Sequence, residues 1–352
     1  MTELRRQSLT TYGMPLCETV VACPQPQGSE VLVRIDRCGV CHSDLHMQDG
    51  YFLLGDDKKL DVRAGRALPF TLGHEIAGVI ERAGPDARDA MPGRAVAVYP
   101  WIGCGACPAC RRGEENICAA SRYLGINVDG GFASHVLVPH PRYLLDHAPL
   151  PASFAATLMC SGLTAYAALK RLKAHAAHGP VLLVGMGGVG MMGLALARAM
   201  FAHAPLVADI DPNKRAAALA AGAAAAFDPS DAGARKAVLA ATGGGAYAAC
   251  DFVGSERSLA FATGALAKGG KAVITGLFGG TFTMPVAMFA LKAMAIEGTQ
   301  TGTLAEAREV VDLARAKKLA PPPIGERPLH EAQSALEQLR AGRVLGRLVL
   351  TA

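Results

Sequence analysis

Val181-Leu182-Leu183-Val184-Gly185-Met186-Gly187-Gly188-Val189-Gly190 runs a short apolar segment straight into a glycine turn. An Ala/Met/Leu-rich helical stretch, Met191 to Ala202, follows at once. G-x-G-x-x-G between a strand and a helix is the context that a dinucleotide fingerprint requires. Gly185 permits the tight turn, Gly187 lets a pyrophosphate approach the backbone, and Gly190 lets helix and strand pack closely. Gly188 and Val189 belong to the same turn, and the N-terminus of the helix that follows offers free N–H groups and a partial positive charge to the phosphates. A second strand, Leu206 to Ile210, carries Asp209, 19 residues beyond Gly190. A carboxylate there accepts hydrogen bonds from the adenosine ribose and repels a 2′-phosphate. NAD is therefore expected over NADP, with Arg215 nearby as the one feature pulling the other way.

Outward from the turn, strands and helices alternate. Ala152 to Lys173 has a helical period, Lys214 to Ala221 follows the second strand, and Asp251-Phe252-Val253 and Lys271 to Gly276 read as later strands. That order predicts an α/β domain, a Rossmann-type doubly wound parallel sheet, over 152–299. Residues 1–151 read instead as β-rich: Val31 to Ile35, Ala77 to Ile80 and Arg94 to Val98 alternate between Gly/Pro breaks. Residues 300–352, with Pro321-Pro322-Pro323 and the apolar run Val344 to Leu350, read as a return to that first domain.

Composition sets the limits. A chain of 352 residues suggests two domains. Its 51% hydrophobic and 18% charged residues exclude disorder as the main state. Lys+Arg minus Asp+Glu is 35 − 30 = +5, no footprint for nucleic acid. No run reaches the ~18 apolar residues of a membrane span, and Met1 to Thr10 lacks a secretory signal's apolar stretch. A cytoplasmic protein is expected, in which ten cysteines point to metal or redox chemistry rather than disulfides.

Four of those cysteines, Cys104, Cys107, Cys110 and Cys118, lie in a Gly/Pro-containing loop at about 100–120. Four thiolates can close a tetrahedron around zinc, and with no open position the site is structural. Iron–sulfur ligation uses clustered cysteines too, but Cys118 is followed by alanine rather than proline. A second concentration of polar groups follows a strand, Cys41-His42-Ser43-Asp44-Leu45-His46. Gly73-His74-Glu75 comes after a charged stretch, and Cys160 opens the path into the nucleotide domain.

Taken in order, these motifs resemble the zinc-dependent medium-chain alcohol dehydrogenases over essentially the whole chain, down to the Gly346-Arg347 ending. The resemblance implies a β-rich GroES-like catalytic domain beside the Rossmann domain, two zinc ions per chain, and NAD. It implies that Cys41, His74 and Cys160 hold the catalytic zinc, leaving a fourth position for water or substrate oxygen. Glu75 resembles the acid that approaches the metal during ligand exchange. Asp44 resembles the residue that hydrogen-bonds the histidine ligand. Ser43 would touch the substrate hydroxyl and His46 would pass its proton to solvent. His42 and Arg347 match contacts to the pyrophosphate, Lys214 a contact to the adenosine ribose, and Val253, Gly276 and Leu277 positions that flank the nicotinamide. The chemistry agrees: a Lewis-acid metal lowers the pKa of a bound oxygen acid, for water from 15.7 to ~7, which prepares an alcohol to release hydride. A histidine, ordinarily at ~6.5, suits a proton relay near neutrality.

The implied substrate is a primary or secondary alcohol, or an aldehyde or ketone in reverse. A polyol dehydrogenase is the runner-up, although such relatives often carry a carboxylate where Cys160 stands. A metal-free reductase of the same fold should lack the Cys41/His74/Cys160 set. Residues 48–68, with the charged Asp56 to Arg66 read as an exposed loop, suit either a cleft wall or a solvated insertion. Trp101 suits either the substrate pocket or packing of the cysteine lobe. Cys17, Cys23, Cys38 and Cys250 read as small apolar residues. A homo-oligomer, tetramer or dimer, is expected by analogy, with 266–277 as a strand that could extend a sheet between subunits. No nucleic-acid or membrane partner is expected.

Overall fold

The structure is a computed structural model that describes residues 3–316 and 319–352. Met1 and Thr2, at the start of the expected 1–151 unit, and Lys317 and Lys318, within 300–352, lie outside the described residues.

The glycine turn sits in a six-stranded, wholly parallel sheet. Its spatial order is Ala225–Phe227, Leu206–Ala208, Leu182–Val184, Ala246–Asp251, Leu266–Ile274 and Ala295–Gly298. The short all-apolar strands Leu-Leu-Val and Leu-Val-Ala are buried throughout, as a sheet covered on both faces requires. Strand order reverses between Leu182–Val184 and Ala246–Asp251, and ligands bind outside the strand ends at such a point. Two strands end earlier than the sequence suggests. The second stops at Ala208, so Asp209 and Ile210 stand just past the sheet. Asp251 ends its strand, leaving Phe252 and Val253 in the crevice wall. The run 266–277 is not a free edge: Leu266–Ile274 is paired on both sides, and Ala295–Gly298 is the border.

The other large sheet has seven strands, and Val31–Val40 is its spine. Glu75–Ala83 lies antiparallel along one side and Arg347–Thr351 along the other. The C-terminal run thus joins the N-terminal half, with Ile324–Pro328 beside it. The register decides what meets at the end of the spine. Gly39 lies opposite Glu75, and Val40 lies opposite Leu348. Cys41, His74, Glu75 and Arg347 therefore emerge together, although they are up to 306 residues apart (347 − 41).

Residues 56–66 are not simply a loop. Tyr51–Gly55 and Lys58–Asp61 form a two-stranded hairpin. Its turn residues, Asp56 and Asp57, both have left-handed φ, 50° and 60°, matching the twist of the flanking strands. The second strand, Lys58–Asp61, is wholly exposed, so no hydrophobic alternation marked it in the sequence. The helical run Ala152–Ala176 has the length and hydropathy of a membrane span, yet 83% of its most apolar stretch is buried inside the fold. It is interrupted at Leu158–Gly162 by one wide π-type turn.

Candidate active site and metal centres

Cys41 ends the spine and caps the helix His42–Asp49. Its backbone N–H donates to Asp44 Oδ2 at 2.9 Å, and Gly73 N donates to Asp44 Oδ1 at 3.1 Å. One buried carboxylate thereby ties together the two segments that carry Cys41 and His74. Asp44 Oδ1 also approaches His74 Nδ1 to 3.3 Å, without hydrogen-bond geometry. Cys160 arrives from the wide turn, and single π turns recur at functional sites because they re-aim side chains. Trp101 Nε1 donates to the Met159 carbonyl at 3.0 Å, steadying that turn, and the Ser161 N–H reaches Glu75 Oε1 at 3.3 Å.

The result is a buried group, Cys41, His74, Glu75 and Cys160, whose ligand atoms all lie within 4.8 Å of one another. Both ring nitrogens of His74 are buried with no hydrogen-bond partner. An orphaned buried polar atom costs about 1–3 kcal/mol, and a metal ion held by one ring nitrogen and two sulfurs removes part of that cost. Cys41 is held well below the usual thiol range, first by its hydrogen bond with Cys160, whose own thiol is pushed well up. The donor set fits a zinc ion with room for a further ligand.

Glu75 is the other notable buried acid. Its Oε2 lies 2.6 Å from Arg347 Nη2, an ion pair whose angles are poor for a hydrogen bond. Burial pushes this carboxyl up to about 7, with Arg347 opposing. The Arg347 side chain also crosses the glycine turn: a Cβ on Gly188 would lie 2.5 Å from Arg347 Cδ. Arg347 thus links the metal group to the glycine turn.

Ser43 and His46 stand three residues apart on the helix His42–Asp49, on one face. The half-buried His46 ring lies tilted against Phe52, with ring centroids 4.5 Å apart, and burial holds its pKa below the ordinary value. His42 is lowered in the same way. Phe52 belongs to the hairpin, which reaches across to the nucleotide domain. Thr281 Oγ1 donates to Asp56 Oδ2 at 2.8 Å, and a Cβ on Gly55 would lie 2.6 Å from the Gly280 carbonyl carbon. The hairpin therefore joins the His46 helix to the loop that begins at Gly276 and Leu277. The buried Trp101 ring lies 5.4 Å from His74 and 5.5 Å from Tyr123.

On the nucleotide side, Gly185 has φ 89° and its missing Cβ leaves space for Val253. A Cβ on Gly190 would collide with the Gly185 carbonyl, and one on Gly276 with the backbone of Val253. Gly187 is different: nothing lies within 4 Å of its absent Cβ. The helix Gly188–Met200 has no side-chain cap hydrogen bond at its start. Asp209 Oδ2 accepts from Met186 N at 2.6 Å, orienting the carboxylate beside the turn. Lys214 is half-buried on the neighbouring helix, and Leu277 is exposed.

The second cysteine group is equally well formed. The sulfurs of Cys104, Cys107, Cys110 and Cys118 lie within 4.8 Å of one another, with Cys104–Cys110 at 3.9 Å and Cys107–Cys118 at 3.8 Å. A tetrahedron of ~2.3 Å zinc–sulfur bonds has edges near these lengths. All ten cysteines are unpaired, and backbone N–H groups point at the lobe sulfurs, which lowers Cys104 to about 6. Sequence reasoning missed the residue that roots this lobe. Buried Glu115 accepts from Gly103 N at 3.0 Å, Tyr143 OH at 2.7 Å and Arg142 Nη2 at 2.8 Å. Nothing in Arg-Gly-Glu-Glu-Asn distinguished it from its neighbour Glu114.

A six-stranded parallel sheet with a glycine turn, beside a β-rich domain with a buried Cys/His/Glu group and a four-cysteine group that could each hold a metal ion, defines a zinc-binding dehydrogenase. Residues 27–149 match the family described as alcohol dehydrogenase GroES-like domain, and residues 188–316 the family described as zinc-binding dehydrogenase. An NAD-dependent alcohol dehydrogenase of Sulfurisphaera tokodaii is 36% identical over 348 residues, covering 99% of both chains. A D-arabinose 1-dehydrogenase (NADP(+)) of Saccharolobus solfataricus is 31% identical, covering 100% of this chain and 98% of that one. The solved alcohol dehydrogenase of Aeropyrum pernix superposes with a TM-score of 0.87 at 31% identity, over 99% of this chain and 100% of the other. The chain belongs to the zinc-dependent medium-chain alcohol dehydrogenase family.

Proposed function

We propose that the protein is an NAD-dependent alcohol dehydrogenase that transfers a hydride between a primary or secondary alcohol and the nicotinamide ring. The observation that carries this reading is the buried convergence of Cys41, His74 and Cys160 beside the glycine turn. Zinc in that group supplies Lewis acidity toward the substrate oxygen. The chain's own residues do the rest. Cys41 and Cys160 supply thiolates, and His74 supplies a ring nitrogen otherwise without a partner. Asp44 fixes the spacing of the Cys41 and His74 segments. Ser43 hands the alcohol proton to His46, whose burial keeps the ring neutral and able to accept it near neutral pH. Glu75 and Arg347 hold the metal group against the phosphate turn.

The cofactor-binding turn, Asp209 and Lys214 hold the adenosine half, while Val253, Gly276 and Leu277 border the nicotinamide. Trp101 beside His74 narrows the pocket toward hydrophobic alcohols. The reading also includes a homo-oligomer, dimer or tetramer. The border strand Ala295–Gly298 has one neighbour among the described residues, and Phe278, Val286 and Leu291 are exposed nearby in sequence. Ten unpaired thiols suit the reducing cytoplasm. Metal analysis, light scattering and a panel of alcohols with NAD and NADP, followed at the nicotinamide absorbance, test the whole reading. Two zinc ions per chain with alcohol-dependent reduction of NAD are expected. Activity that survives complete removal of the metal overturns it.

A further inference from the structure

We propose that Asp228 is a specificity-determining residue that excludes a 2′-phosphorylated cofactor by holding the Arg215 guanidinium out of the ribose site. The inference rests on the NAD reading above and concerns how that preference is built.

The register of the sheet sets the arrangement. Leu206–Ala208 runs parallel to Ala225–Phe227, with Ala208 opposite Phe227, so Asp209 and Asp228 leave adjacent strand ends together. The Asp209 N–H donates to the Phe227 carbonyl at 3.1 Å. The two carboxylates then take different duties. Asp209 turns toward the glycine turn, accepting from Met186 N at 2.6 Å and from Asp211 N at 2.8 Å. Asp228 takes other partners. Its Oδ1 accepts from both the N–H and the hydroxyl of Ser230, and its Oδ2 accepts from Arg215 Nη1 at 3.0 Å. Those bonds from Ser230, with Arg215 behind them, hold this carboxyl below its usual range.

Arg215 is therefore fully engaged at one end. Nη1 also donates to the carbonyls of Asp209 at 2.7 Å and Ile210 at 2.9 Å. An arginine touching the backbone of the residue that faces the ribose is in reach of a 2′-phosphate, for which its planar fork is well suited. Here its charge is matched by Asp228, and the pair is only partly exposed, with side chains 21% and 30% accessible. The carboxylate of Asp209 faces the ribose while Arg215 is held by Asp228, so a 2′-phosphate meets repulsion that Arg215 is not free to offset. Lys214, one residue earlier, has no such anchor among the described residues. A NADP(+)-linked relative at 31% identity shows that cofactor choice varies among chains this similar.

The test uses the zinc-loaded protein and titration calorimetry with adenosine 2′,5′-bisphosphate and adenosine 5′-monophosphate. Asp228→Asn keeps an acceptor for Ser230 but removes the charge that holds Arg215. It is expected to tighten the bisphosphate about 5- to 20-fold, the size of one partly exposed charge-assisted hydrogen bond. The monophosphate should change less than about twofold, since its phosphate sits at the glycine turn. The gain should disappear in Asp228→Asn/Arg215→Ala. An unchanged bisphosphate affinity in Asp228→Asn, or an equal gain in the double variant, overturns the proposal while leaving the NAD reading intact. Failure of the unaltered protein to bind the monophosphate overturns both.

Discussion

Removing Glu115 should detach the cysteine lobe before it disturbs anything else. In Glu115→Ala, three donors lose their acceptor: Gly103 N, Tyr143 OH and Arg142 Nη2. Tyr143 is buried, whereas Gly103 is half-buried, so the Tyr143 hydroxyl is left poorly solvated and the Gly103 N–H only in part. An unsatisfied buried donor costs about 1–3 kcal/mol, and the half-buried one adds a smaller share. Arg142 adds little, because its side chain is 44% accessible and water can replace the lost partner. Against a typical total stability of about 5–15 kcal/mol, that is enough to loosen the lobe locally without unfolding the sheets. The assay is a timed release of zinc to a colorimetric chelator, with alcohol oxidation followed in parallel. One of two ions should leave much faster than from the unaltered protein. Glu115→Gln, which keeps an acceptor, should fall between. Equal release kinetics for the two proteins, with an unchanged melting temperature, would refute the assignment of Glu115 as the anchor.

The remaining predictions concern the turn, the relay and the pocket. Gly187→Ala should fold normally, because its φ of −70° suits any residue and its Cβ site is open, yet it should weaken NAD binding. Gly190→Ala should destabilise by about 1–3 kcal/mol through collision with the Gly185 carbonyl, and equal denaturation midpoints for the two variants would contradict this contrast. His46→Gln should lower the rate of alcohol oxidation by about 10²–10⁴-fold, the usual worth of a general base. Because burial lowers the His46 pKa, the neutral, accepting ring persists below pH ~6.5 and is lost only as pH falls further. The acid limb of the oxidation profile should lie below that value, and a limb above it counts against the relay. Trp101→Ala should shift selectivity between alkyl and aryl alcohols, and an unaltered preference across a substrate panel speaks against a pocket role.

The parts of this protein readable without coordinates are those whose chemistry is local. Gly185 to Gly190 must follow a strand and open a helix to bind phosphates, and the spacing of Cys104 to Cys118 lets one loop surround one ion. Both depend on neighbours along the chain, so the string of residues suffices. The metal group of Cys41, His74 and Cys160 was legible only through family resemblance, because no local rule joins residues that far apart. What brings two of its segments together is sheet register: the spine Val31–Val40 sets Gly39 against Glu75 and Val40 against Leu348. Pairing of that kind is long-range and leaves no periodic trace in sequence. Lys58–Asp61 lies inside the stretch 56–66 that reads as a loop, because this strand has no buried face to reveal it. Glu115 and Glu114 are chemically identical, as are Asp209 and Asp228. Only the packed structure decides which carboxylate is buried beneath a lobe, which faces the ribose crevice, and which is spent on an arginine, because burial and hydrogen-bond partners are properties of position in space.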